Sequence, residues 1–129
     1  MPQPCSATDS PPASLGVTFA QALADGDFAK LAELLHPEVD FRALTPRRTW
    51  EPVTRAEVLA VLRTWFGACE VRDTLRLETG EIAGRHHVTY RYRGERPGGP
   101  FLIEQHAYYD EDDGQIGWIR ILCSGFRTE

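Results

Sequence analysis

Cysteine is scarce in this chain and irregularly placed. Cys5, Cys69 and Cys123 are odd in number and match neither a disulfide framework nor a zinc-site spacing. Free thiols of this kind fit a reducing cytoplasm. Positive charge is also short. The net charge of −5 argues against a nucleic-acid partner, which requires a basic stripe. No apolar run approaches the roughly 20 residues that cross a bilayer, so no membrane association is expected. The opening MPQPCSATDSPPAS has no Lys or Arg and no apolar run, and no signal peptide is expected. What remains is a soluble, cytoplasmic, single domain. At 129 residues it is long enough to bury about two-thirds of its unfolded surface.

Residues 1–13 hold four prolines among Ser, Thr and Asp and read as a disordered tail before a domain spanning 14–129. Ser14 is placed to cap a helix with Leu15, Phe19, Ala22 and Leu23 at helical spacing, closed by Gly26. Asp27 caps a shorter helix through Leu31, Leu34 and Leu35, stopped by Pro37. Val39–Leu44 reads as a short strand and residues 45–53 (TPRRTWEPV) as a loop. Thr54 with Glu57 forms a capping box for a third helix with the stripe Val58, Leu62, Trp65 and Phe66. From Val71 the period changes to two, and about four antiparallel strands follow. Ala83–Gly84, the Gly94–Pro100 segment and Asp110–Gly114 supply the turns between them. Helices first and a strand meander after indicate an α+β domain.

The last two strands, within Phe101–Phe126, carry the polar residues of interest. Alternation puts Leu102, Glu104, His106 and Tyr108 on one face and Phe101, Ile103, Gln105, Ala107 and Tyr109 on the other. Pairing Tyr109 with Ile116 sets His106 opposite Ile119 and brings Ile121 and Cys123 to its face. Glu104 and His106, ~7 Å apart by the strand rise, are then polar groups on an apolar wall, which is costly without a reason. His106 reads either as a core histidine satisfied by a carbonyl or tyrosine, or as an acid–base group aimed into a cavity. Glu104 reads as a structural ion pair with Arg120 or Arg91, or as the partner of His106 or a second acid. Tyr90 joins them as a hydrogen-bond donor if Tyr92 pairs with Leu102. Cys123 lies too far along the strand to be activated by His106 and reads as an apolar wall residue. His86 and His87 face opposite ways, so no metal site is expected. Arg47, Arg48 and Trp50 fall on the loop before the third helix and read as a cavity mouth or as a solvated loop.

The segments FAQALADGDF (Phe19–Phe28), LLHPEVDF (Leu34–Phe41), TRAEV (Thr54–Val58) and DGQI (Asp113–Ile116) resemble the NTF2-like superfamily, which includes ketosteroid isomerases and SnoaL-like polyketide cyclases. The likeness covers about residues 14–126. It implies three N-terminal helices packed on a strongly curved, mainly antiparallel sheet, a cone with a ligand inside. It also implies a homodimer packed through the outer sheet face, assigned here to Phe101, Ile103, Ala107, Tyr109, Trp118 and Leu122. The isomerase set of tyrosine, base aspartate and late aspartate carries over to Phe19, Ala43 and His106, so steroid isomerisation by that mechanism is not expected. An Asp–Arg–Asp set of the epoxide hydrolase kind has no counterpart. The expected function is cofactor-independent acid–base chemistry on a hydrophobic, carbonyl-bearing small molecule: isomerisation, cyclisation or a lyase-type dehydration. Catalysis falls to His106, Glu104 and Tyr90, and the pocket to Phe19, Trp50, Trp65, Leu102, Ile119, Ile121 and Cys123. The alternative is a non-catalytic binding or dimeric accessory protein built on the same fold.

Overall fold

A computed structural model describes residues 14–128; the tail expected over residues 1–13 lies outside them. Capping chemistry sets the helix starts. The Ser14 hydroxyl accepts from Val17 N at the head of α1 (Leu15–Asp25), and Gly26 closes that helix in the left-handed region at φ 66°. The Asp27 carboxylate accepts from Lys30 N to start α2 (Phe28–Leu34). Thr54 and Glu57 form the reciprocal capping box of α3 (Arg55–Phe66). Among the described residues, no helix is long and apolar enough to cross a membrane.

The six strands are β1 (Leu35–Thr45), β2 (Arg48–Trp50), β3 (Glu70–Ile82), β4 (Arg85–Arg96), β5 (Gly99–Asp112) and β6 (Gln115–Cys123). They form one mixed sheet in the order β2-β1-β6-β5-β4-β3, with β1 and β6 parallel and the other neighbours antiparallel. The fold is α+β, with two strands rather than one between α2 and α3. The stretch read as a loop contains β2, because Arg48–Trp50 folds back on Ala43–Thr45. β1 is also longer than expected and starts directly after α2.

The hairpin after β3 turns at Ala83–Gly84, as the sequence predicts, and the two that follow are tighter than expected. Ala83–Gly84 and Asp113–Gly114 both take positive φ at both positions, the two-residue geometry that matches strand twist. Pro97–Gly98 likewise leaves Arg96 opposite Gly99. Beyond Asp112↔Gln115 the register shifts between Asp110 and Glu111, after which Tyr109 faces Ile119, Ala107 faces Ile121 and Gln105 faces Cys123. The expected Tyr109–Ile116 pairing is therefore out by three positions. Tyr92 pairs with Ile103, not Leu102, an error of one. Odd displacements exchange the faces of a sheet, and that is what happened here.

The inner face is the other one. Phe101, Ile103, Gln105, Ala107 and Tyr109 of β5 are at most 2% exposed and join Ile119, Ile121 and Cys123 in the core under the helices. Leu102, Glu104, His106 and Tyr108 point away from it. The residues assigned to a dimer contact lose Phe101, Ile103, Ala107 and Tyr109 to the core, and only Trp118 and Leu122 of that group stay outside.

Candidate functional site

The residues expected to share one pocket divide between two sides of the sheet. Phe19, Trp65, Tyr90, Ile119, Ile121 and Cys123 are buried inside. Trp50 is half-buried and meets Trp65 edge to face at 5.7 Å. His106, Glu104 and Leu102 are outside. The corrected register explains the division: apolar Ile119, Ile121 and Cys123 are the partners of Tyr109, Ala107 and Gln105, and that largely apolar surface is the one worth burying.

Inside, one cross-strand row carries polar atoms. The Tyr90 hydroxyl donates to Gln105 Oε1 at 2.5 Å, and Gln105 Nε2 donates to Cys123 Sγ at 3.2 Å. The Gly125 backbone N–H also donates to that sulfur, at 3.3 Å. Tyr90 and Gln105 are fully buried. Burial, with Tyr92 and Cys123 nearby, pushes the Tyr90 phenol well above the ordinary tyrosine range. Burial also pushes the Cys123 thiol up, partly offset by the bonds from Gln105 and Gly125. The row is neutral at physiological pH and offers hydrogen bonds rather than charge. Next to it, the Tyr92 hydroxyl donates to the Ala20 carbonyl at 2.5 Å.

One interior donor is unmatched. The Trp65 indole N–H is buried and meets no acceptor among the described residues, although indole N–H groups in cores normally find one. Its ring lies among Phe41, at 6.2 Å, and Trp50. The β1–β2 hairpin brings Trp50 there, tied by its own N–H to the Thr45 hydroxyl at 2.9 Å, with Arg48 stacked on its outer side at 3.6 Å.

Outside, His106 and Glu104 do meet, with Nε2 and Oε2 2.7 Å apart. Arg91 Nε donates to the same carboxylate at 2.6 Å and Arg76 Nη1 at 3.3 Å. The Thr89 hydroxyl lies 3.2 Å from His106 Nδ1 and 2.9 Å from His87 Nε2. With Nε2–H donating to Glu104, Nδ1 accepts the Thr89 proton and Thr89 accepts from His87, so both ring nitrogens of His106 and the Thr89 hydroxyl are used. Desolvation raises the Glu104 carboxyl, but the hydrogen bonds from His106 and Arg91 outweigh it and hold the group below the usual carboxylate range. Burial, with His106 and Arg76 close by, lowers His87. A carboxylate depressed in the folded state contributes stability above its unfolded pKa, and that contribution is lost as pH falls through the folded value. Glu104→Gln is therefore expected to flatten the acid limb of the stability curve below about pH 4.3, measured by urea unfolding at stepped pH. An unchanged acid limb would show that the network contributes nothing.

Gln105 carries little signal in the sequence, because it sits between apolar neighbours at a spacing of two, on the face that the expected register puts outside. The repeat Phe101, Ile103, Ala107, Tyr109 was the available signal. Among the described residues, no three His, Cys, Asp or Glu side chains gather as metal ligands would.

A six-stranded mixed sheet carries three helices over an apolar interior interrupted by a few neutral donors. The chain belongs to the SnoaL-like domain family, whose model matches residues 17–117, within the NTF2-like superfamily. No curated protein matches the sequence. Among solved structures it is similar to a candidate polyketide cyclase from Xanthomonas campestris pv. campestris, at 17% identity over 84% of this chain and 86% of that one, with a TM-score of 0.66. A protein of ketosteroid isomerase-like fold from Catenulispora acidiphila, in complex with trimethylamine, gives 12% identity, 89% and 88% coverage and 0.69. An epoxide hydrolase of the LEH-like kind from M. tuberculosis gives 15%, 83% and 77%, and 0.60. At these identities the likeness speaks for the fold alone.

Proposed function

We propose that this chain holds a compact hydrophobic molecule with a carbonyl-type acceptor inside the curved cone of a SnoaL-like domain, between α3 and the sheet. One observation carries the reading: the Trp65 N–H is buried, meets no acceptor among the described residues, and lies behind the half-buried Trp50 on a short hairpin. A ligand oxygen would remove the cost of that unpaired donor, ~1–3 kcal/mol for a neutral group. The inner phenol and thiol stay protonated, so among the described residues the interior offers no proton acceptor of the kind that isomerisation, cyclisation or dehydration would need. That favours binding, in an accessory role, over turnover. The free thiols of Cys69 and Cys123 suit a reducing, cytoplasmic setting.

Calorimetric titration with α-tetralone, compared with its parent hydrocarbon tetralin, tests the proposal. The ketone is expected to bind more tightly, and Trp65→Phe to erase about three- to tenfold of that preference while keeping the ring. No binding, or a preference unchanged in Trp65→Phe, sinks it.

The enzymatic reading has its own support in the His106–Glu104 contact, which borders a surface cavity of about 390 Å³ also lined by Leu122 and Ser124. Both ring nitrogens of His106 are engaged within the sheet, and Tyr90 lies on the opposite side. Ketone turnover that His106→Ala abolishes and Trp65→Phe leaves intact would move the function to that surface.

A further inference from the structure

Trp50 meets the buried Trp65 ring from the solvent side, and little holds Trp50 in place. It stands on β2, a three-residue edge strand whose ladder partner is Ala43–Thr45 of β1 alone. β1 is fixed from its other side, because Ala43 and Leu44 pair with Ile121 and Leu122 of β6. β2 is therefore the leaf that can swing, and edge segments with few contacts open first. Beyond the ladder, the Trp50 N–H donates to the Thr45 hydroxyl at 2.9 Å, and that hydroxyl donates to the Arg48 carbonyl at 3.2 Å. One threonine thus ties both ends of β2. The Arg42–Glu51 pair adds little, at 3.8 Å between side chains more than half exposed. Arg48, stacked on Trp50, belongs to the same strand and travels with it. The Trp65 side is the fixed one. Gly67 closes α3 with its N–H on the Arg63 carbonyl at 2.7 Å, and the neighbouring Phe66 packs on Tyr92 and Phe126.

We propose that Trp50 is a plug: its indole occupies the seat of the interior ligand, and β2 swings outward before a flat bicyclic ketone takes its place against Trp65. The inference rests on the interior reading and narrows it to molecules with the footprint of an indole. Two observations coincide at this spot. The buried Trp65 N–H meets no acceptor among the described residues, and the ring set edge-on against Trp65 is an indole, which has no acceptor lone pair to give. Trp50 fills the space and leaves the donor unpaired, whereas an aromatic ketone supplies both ring and oxygen. The closed hairpin then competes with the ligand, and the measured affinity is the intrinsic one reduced to the fraction of molecules that are open. A plug and a wall residue differ in sign: removing a plug tightens binding, and removing a wall weakens it.

The test joins hydrogen exchange of the indole N–H groups in the free full-length chain, followed by heteronuclear NMR, to calorimetric titration with α-tetralone. In Thr45→Val the Trp65 indole N–H is expected to exchange about tenfold faster, for two lost hydrogen bonds of ordinary strength, while the Ala107 and Ile121 amides keep their native rates. α-Tetralone is expected to bind Thr45→Val tighter by the same factor, and Trp50→Ala tighter still. Weaker binding to Trp50→Ala makes Trp50 a wall and overturns the proposal. So does a Trp65 indole that exchanges no faster than the core amides. Gly67→Ala loosens the end of α3 instead, since its Cβ would stand 2.5 Å from the Arg63 carbonyl oxygen; if that variant speeds Trp65 exchange and Thr45→Val does not, the helix opens and the hairpin does not, which also overturns it. Failure of α-tetralone to bind the native chain and Trp50→Ala alike overturns the interior reading as well, whereas equal binding to both overturns the plug alone.

Discussion

Gly94→Ala is expected to lower the melting temperature by roughly 10 °C, the equivalent of ~3 kcal/mol in a domain of this size. Gly94 sits in β4 opposite Val71 of β3, where the ladder shifts register between Val71 and Asp73. A Cβ built there would stand 2.0 Å from the Glu70 carbonyl oxygen and 3.0 Å from the Val71 Cα. Both are backbone atoms, so no side chain can swing aside, and the β3 edge would have to move. This is a strand glycine kept for close approach of another backbone. Gly80→Ala, on β3 itself, is the control, because nothing lies within 4 Å of its Cβ. Equal thermal stability of the two variants, read by circular dichroism, would refute the account.

Gln105→Glu is expected to make stability fall steeply as pH rises. The native amide accepts from Tyr90 and donates to Cys123 in a fully buried position. A glutamate there keeps the shape, but among the described residues its charged form meets no buried cation to pair with. Its folded pKa would be raised by burial, so the folded state holds the proton that the unfolded state releases. The variant should be near its most stable below the unfolded value of about 4.3 and lose ~1.4 kcal/mol for each further pH unit until the folded pKa is passed. Native protein has no such term at this position. A pH-independent difference between the two, measured by urea unfolding from pH 4 to 8, would mean that the carboxylate reaches solvent.

Helix ends were legible because they are local. Ser14, Asp27, Thr54 with Glu57, and Gly26 act on backbone groups within a few residues, and nothing distant competes with them. The family segments were legible for the same reason. The face of β5 was not, since both its sides mix apolar and polar residues. Its orientation followed from the pairing with β6, and that depended on how many residues the turn consumed. Asp-Gly is the strongest short hairpin signal, and taking Asp113–Gly114 as the whole turn recovers two of the three displaced positions, but an even correction leaves the two faces exchanged. The shift of register near Gly117 leaves less trace in sequence. Gln105 and His106 exchanged sides on those few positions, and the candidate site moved with them.

The parallel pairing of β1 with β6 has a consequence for biosynthesis. β3, β4 and β5 can zip together through two-residue turns as they emerge from the ribosome, whereas β1 pairs with only a three-residue strand and waits for a neighbour made last among the strands. Until then Val39, Phe41 and Ala43, later buried against that neighbour, belong to a nascent chain with an open edge. Contacts so distant along the polypeptide close slowly, so the vulnerable interval for chaperone capture or misassembly runs until the final strand is released.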